Sequence, residues 1–169
     1  MTGMITEYLS GDHERLDQLL HHSLISAGGV DEDSYHQFRQ GILRHIGIEE
    51  KILIPFLQPY LDDTMKKVLE RIKLDHSAIV ALLVPTPSKQ IVAALAAILT
   101  RHNDLEEDHG GFYERADTFD PPIVREIVER MKKTPEVKSL PNNPNPKVLE
   151  ATRRALERAG YDPEIYLHP

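Results

Sequence analysis

Apolar residues recur at helical spacing through the first two thirds of the chain and divide into four runs. The first sets Leu9, Leu16, Leu19, Leu20 and Leu24 on one stripe and predicts a helix from Met4 to about Ser26, ended by Gly28-Gly29. Asp31-Glu32-Asp33-Ser34 then offers an N-cap and first-turn acids for a second helix bearing Phe38, Ile42, Ile52 and Phe56. Pro55 is placed to kink that helix, and Pro59 stands near its end. A third helix, from Asp62-Asp63 to about Val84, turns Met65, Val68, Leu69, Ile72, Ile79, Val80 and Leu83 inward. Pro85-Thr86-Pro87 stops it, and Ser88 is the expected N-cap of a fourth with Ile91, Leu95, Ile98 and Leu105. Gly110-Gly111 weakens its end, and Phe112, Tyr113 and Ala116 are read as a prolongation. Short connections between long helices imply antiparallel neighbours, and no segment alternates like a strand. The pattern predicts an all-α, up-down-up-down four-helix bundle.

The pattern changes near Asp120. Residues 1–118 are read as the bundle and 119–169 as a C-terminal helical extension. In the extension Pro121-Pro122 opens a short helix with Ile123, Val124, Ile127, Val128 and Met131 as its apolar set. After a Pro- and Asn-rich loop, Asn145 and Pro146 start a last helix that Gly160 ends, with Leu149, Leu156 and Ala159 on one edge. The extension is expected to pack on the bundle or on a second copy of the chain, which would make a homo-oligomer.

Polar residues interrupt the apolar faces in an ordered way. Arg44-His45-Ile46-Gly47-Ile48-Glu49-Glu50 and Arg101-His102-Asn103-Asp104-Leu105-Glu106-Glu107 share the pattern R-H-x-x-x-E-E. Residues four apart lie on one helix face, so each copy presents an imidazole and a carboxylate side by side. Asp12-His13 and Asp75-His76 mark the helix before each copy. The chain thus reads as two hairpins of one design, related by an approximate two-fold. His13 and His45 each stand about 15 residues from the Gly28-Gly29 turn, hence at similar heights at ~1.5 Å per residue. Across Pro85-Thr86-Pro87 the match for His76 and His102 is poorer, by roughly 7 Å.

Composition narrows the chemistry. A formal net charge of −7 argues against nucleic acid or an anionic membrane as partner. With no cysteine, any metal must be held by nitrogen and oxygen donors. The N-terminus lacks a basic and apolar leader and no run is long enough to span a bilayer, so the cytoplasm is the expected compartment. Burying four imidazoles and two carboxylates without partners costs several kcal/mol for each group. Two divalent cations would satisfy all six, with His13, His45, His76 and His102 as terminal ligands and Glu49 and Glu106 as bridges. Such a donor set favours two iron ions, with manganese or zinc as alternatives. Either bridge could shift by one residue, to Glu50 or Glu107, which are otherwise read as solvated or supporting the ligands. Asp12 and Asp75 are candidates for supporting the histidines. His109 and Tyr113, roughly 10 Å above the metal layer on a continuous helix, are read as surface or access-channel residues. His21, His22, His36 and His168 are read as surface residues.

At these residues the chain resembles the hemerythrin-like family of HHE cation-binding domains. The family pattern H … H-x-x-x-E … H … H-x-x-x-E is filled by His13, His45 and Glu49, His76, and His102 and Glu106, over about Met4 to Ala116. The resemblance implies a di-iron protein that binds O2 or a related small diatomic ligand. The oxygen carriers of the family use a fifth histidine, four residues from its neighbour on the third helix. Here Ile72 and Val80 stand four before and four after His76, so that pair is absent. An iron or oxygen sensor or iron-handling module without turnover is the alternative, and a redox enzyme acting on NO or peroxide a third. No cofactor fingerprint favours catalysis, so a binding protein is expected rather than an enzyme.

Overall fold

The computed structural model describes residues 3–24 and 27–167, so the predicted helix end at Ser26 and the reading of His168 lie outside the described residues. Among them every regular element is a helix and none is a strand. The bundle consists of α1 (Met4–Ser23), α2 (Glu32–Ile48), α4 (Asp63–Leu82) and α5 (Lys89–Glu107). Asp31, Asp62 and Ser88 cap the last three, accepting from the backbone N–H of Ser34, Met65 and Ile91.

Pro55 produces a change of pitch rather than a kink. Past α2 the helix widens into a π segment, Glu49–Leu53, in which the Ile54 N–H bonds the Glu49 carbonyl. It then tightens through α3 (Ile54–Leu57) into a 3-10 turn, Gln58–Tyr60. Proline has no N–H to return to the preceding turn, and the wider π turn takes up the mismatch. The turn between His45 and Glu49 stays α-helical, because the Glu49 N–H still bonds the His45 carbonyl.

The core lies in two halves. One gathers Leu16, Leu20, Phe38, Ile42, Ile79, Leu82, Leu95 and Ile98, and the other Leu9, Ile48, Leu53, Leu69, Ile72 and Phe112. His13 falls between Leu9 and Leu16, and His76 between Ile72 and Ile79, so a polar layer separates the halves. The height mismatch at the third connection is absorbed by residues 83–88, which leave the helical path. The first turns of α5 are covered by the end of the chain.

Gly110-Gly111 ends α5 outright instead of weakening it. Gly110 has φ +78°, and a Cβ on Gly111 would come within 2.6 Å of the Asp108 carbonyl oxygen. The chain reverses and starts a separate helix, α6 (Phe112–Asp117), against α1 and α5. Asp117 then caps α1 from a distance: its carboxylate accepts from Ile5 N (2.8 Å), Thr6 N (3.0 Å) and Thr6 Oγ1 (2.7 Å). A Cβ on Gly3 would collide with that carboxylate.

Helix α7 (Pro121–Lys132) packs on α1 and the π segment through Val124, Ile127, Val128 and Met131. Helix α8 (Pro146–Arg158) lies on α4, where Thr152 Oγ1 donates to the Ala81 carbonyl at 3.1 Å. A short α9 (Pro163–Tyr166), absent from the sequence reading, touches α5. Ile123, Val80 and Leu149, read as apolar contacts, are substantially exposed.

Candidate metal centre

The polar layer brings together all six residues selected from the sequence. Their exposures are His13 5 %, His45 1 %, Glu49 1 %, His76 3 %, His102 2 % and Glu106 1 %. They form two groups, His13, His45, Glu49 and Glu106 on one side and Glu49, His76, His102 and Glu106 on the other. Within each group one donor atom per residue lies within 4.8 Å of the others. Both glutamates belong to both groups, as two bridges between two cations would.

Three imidazoles are oriented by a carboxylate hydrogen-bonded to the outer nitrogen, and the fourth, His102, has a carboxylate nearby without a hydrogen bond. His45 Nδ1 meets Asp12 Oδ2 at 2.9 Å, and His76 Nδ1 meets Glu50 Oε1 at 2.7 Å. His13 Nδ1 pairs with Glu107, and His102 Nδ1 lies 3.6 Å from Asp75 Oδ2. The arrangement follows the two-fold seen in the sequence. Asp12 and Asp75 serve the histidine of their own hairpin, and Glu50 and Glu107 that of the other. A proton on Nδ1 directed at a carboxylate leaves the inward Nε2 with its lone pair free, the tautomer a metal requires. Glu50 and Glu107 are therefore partners of the histidines, and Asp12 and Asp75 share that task.

Tyr113 departs from its sequence reading. The height estimate assumed that α5 continued, whereas α6 folds back and carries the phenol into the centre, fully buried. Its hydroxyl lies 2.5 Å from Glu49 Oε1, 2.9 Å from Glu106 Oε2, 3.2 Å from His13 Nε2 and 3.3 Å from His45 Nε2. The signal was available: Gly110-Gly111 breaks the helix, and Tyr113 sits in an apolar run with Phe112 and Ala116. His109, by contrast, is exposed.

Electrostatics divides the groups sharply. Burial would lower the His45 pKa, but Glu49 and Asp12 outweigh it and raise it to about 9. His76 is likewise raised to about 9, by Glu49 and Glu50 against burial. For His13 and His102 burial prevails and the pKa falls. Burial raises Glu49 less than His45 and His76 lower it, which holds it well below the usual carboxylate range. Burial and then the Glu49 charge drive Glu106 well above that range. The Tyr113 hydroxyl donates toward both carboxylates, with the shorter approach to Glu49.

The second group tests the fit to a metal. Glu49 Oε2, His76 Nε2 and Glu106 Oε1 are buried without any hydrogen-bond partner, although His76 Nε2 and Glu49 Oε2 approach to 3.1 Å. Buried donors and acceptors are ordinarily paired, and three orphans directed at one spot fit a cation there. The hard oxygen and imidazole donors suit iron, manganese or zinc.

A family model described as "Hemerythrin HHE cation binding domain" matches residues 4–110. The chain belongs to that family, whose members bind metal cations. Neither the curated proteins nor the solved structures give a match. No helix among the described residues is long and apolar enough to cross a membrane.

Proposed function

We propose that this protein holds two metal ions, of which iron best suits the donors, and binds O2 or a related small ligand between or beside them. His13 and His45 serve one ion, His76 and His102 the other, and Glu49 and Glu106 bridge them. The observation that carries this reading is the sharing of both buried glutamates by two compact donor groups. Iron so held supplies redox chemistry at a coordination position open to a small ligand. The chain's own part is to fix the imidazole tautomers, keep the centre dry and supply the bridging charge. Glu49 Oε2, His76 Nε2 and Glu106 Oε1 make no hydrogen bond in the second group, which favours an external ligand on that side.

A sensing or iron-handling role is the second reading, favoured by the link between the centre and the chain's end. Tyr161 Oη donates to Asp75 Oδ1 at 2.6 Å, and Asp75 faces His102. A change at the centre could thus reach α8 and α9. The deciding experiment measures the metal content of protein purified without chelator, then its spectrum on anaerobic reduction and exposure to O2. About two irons per chain with a band that returns reversibly on oxygenation support ligand binding. Two irons that oxidise without reversal favour sensing. A folded protein that takes up no metal overturns both.

A further inference from the structure

The two donor groups are alike in composition but not in surroundings. All four inward atoms of the first, His13 Nε2, His45 Nε2, Glu49 Oε1 and Glu106 Oε2, lie 2.5–3.3 Å from one oxygen, the Tyr113 hydroxyl. The other oxygens of the same glutamates, facing the second group, make no hydrogen bond and meet only His76 Nε2 at 3.1 Å and His102 Nε2 at 3.3 Å. Among the described residues no tyrosine hydroxyl bonds His76 or His102, so the two-fold relation between the hairpins fails at this point. We propose, building on the dinuclear reading above, that Tyr113 is a seventh protein ligand to the ion held by His13, His45, Glu49 and Glu106, which leaves the position at His76 and His102 as the one that takes an external ligand.

Geometry leaves the phenol little alternative. An ion seated among those four atoms lies within bonding reach of an oxygen already in contact with all of them. The ring cannot swing out to solvent, because Tyr113 is fully buried and its helix is tied down at both ends. Gly110-Gly111 sets the reversal that begins α6, and Asp117 fastens its end to the start of α1. A phenolate is a hard anionic oxygen donor that suits ferric iron. On binding, the phenol O–H bond breaks, its proton passes to solvent and an oxygen–metal bond forms, with no electron transferred. The first ion then has two imidazoles, two carboxylates and a phenolate, whereas the second has one donor fewer.

The test uses the full chain loaded with iron in air. A ferric phenolate absorbs in the visible and gives tyrosine ring vibrations in resonance Raman spectra, and these shift when ring-deuterated tyrosine is incorporated. The expected result is about two irons per chain with those vibrations. Y113F should lose the band while retaining at least the second ion, and Y161F should keep it. Added azide should give a new azide-to-iron band without removing the phenolate signature. The wild-type Raman measurement stands even if Y113F fails to fold. Two irons without tyrosine vibrations would overturn the proposal and leave the dinuclear reading intact, whereas one ion in the wild type rising to two in Y113F would overturn both for the natural chain. Loss of the phenolate signature to azide would overturn the assignment of the open position. Wild-type protein without any metal would overturn the dinuclear reading itself, and the proposal with it.

Discussion

Three imidazoles in the centre hydrogen-bond a carboxylate outside it, and these pairs differ in exposure. Glu50 and Glu107 reach His76 and His13 from partly exposed positions, with side chains 36 % and 34 % exposed. Glu50→Gln and Glu107→Gln should therefore leave the fold intact while lowering metal affinity about 10–100-fold, the usual effect of removing a histidine's outer partner. Competition with a chelator of known affinity measures this, and an unchanged affinity would mean that the histidines need no support. The metal-free protein should also show a stability maximum near the ordinary histidine pKa of 6.5. His45 and His76, raised to about 9, contribute stability that is complete below pH 6.5 and lost as pH climbs from 6.5 to 9. His13 and His102, whose pKa values are lowered, instead cost stability as pH falls below 6.5. Metal binding displaces the protons of His45 and His76, so loaded protein should hold its stability through that alkaline window. Thermal melts of both forms from pH 5 to 9 test the contrast.

At the scale of elements, the helix that matters most to the site is the one the sequence described least well. The ordered His and Glu pattern was legible because i, i+4 spacing fixes which residues share a face, and four runs of apolar residues fixed the helices that carry them. Turn chemistry gave Asp31, Asp62 and Ser88 as caps. Tyr113 is placed wrongly by the sequence, about 10 Å above the metal layer, because its position depends on a reversal at Gly110-Gly111, and spacing along one helix says nothing about a chain that turns back. The π segment was likewise hidden, since Pro55 announces a disturbance but not whether the helix breaks, bends or widens. Asp117 offers the test of how α6 is held. Asp117→Ala removes the side-chain cap of α1, whose own N-cap residue, Gly3, has none. It should cost about 0.5–2 kcal/mol in urea or guanidinium unfolding. It should also loosen α6 and broaden the environment of Tyr113, seen by fluorine NMR of 3-fluorotyrosine. A cost in stability with Tyr113 unmoved would show that Phe112 and Ala116 hold the helix without help.

For the whole molecule, the polar layer poses one question: what holds the two halves of the core together across it. Leaving a buried polar group without a hydrogen bond costs about 1–3 kcal/mol, and charge contacts of 3.1 and 3.3 Å offset that only in part for Glu49 Oε2, His76 Nε2 and Glu106 Oε1. The apolar halves above and below, together with α7 and α8 packed outside, must carry that burden whenever metal is absent. The end of the chain enters this balance directly, because Leu156, Ala159 and Tyr161 belong to the same core half as Ile91, Leu95 and Ile98. Tyr161 adds its hydroxyl to Asp75, alongside the Arg71 guanidinium, whose Nε lies 3.0 Å from the same oxygen. Leu156→Ala should accordingly cost about 2–5 kcal/mol, and the loss should weigh far more on the metal-free protein. Metal at a hundredfold excess over its dissociation constant adds about 2.7 kcal/mol per site, enough to mask most of that loss. The expected result is a variant that is folded and helical when loaded, yet unfolds well below the wild type once a chelator has removed the ions. Circular dichroism melts of wild type and variant, with and without metal, provide the four curves required. Equal displacement of both variant curves would mean that the chain's end and the centre stabilise the fold independently. A much larger displacement without metal would mean that the metal layer and α8 clamp the same half of the core.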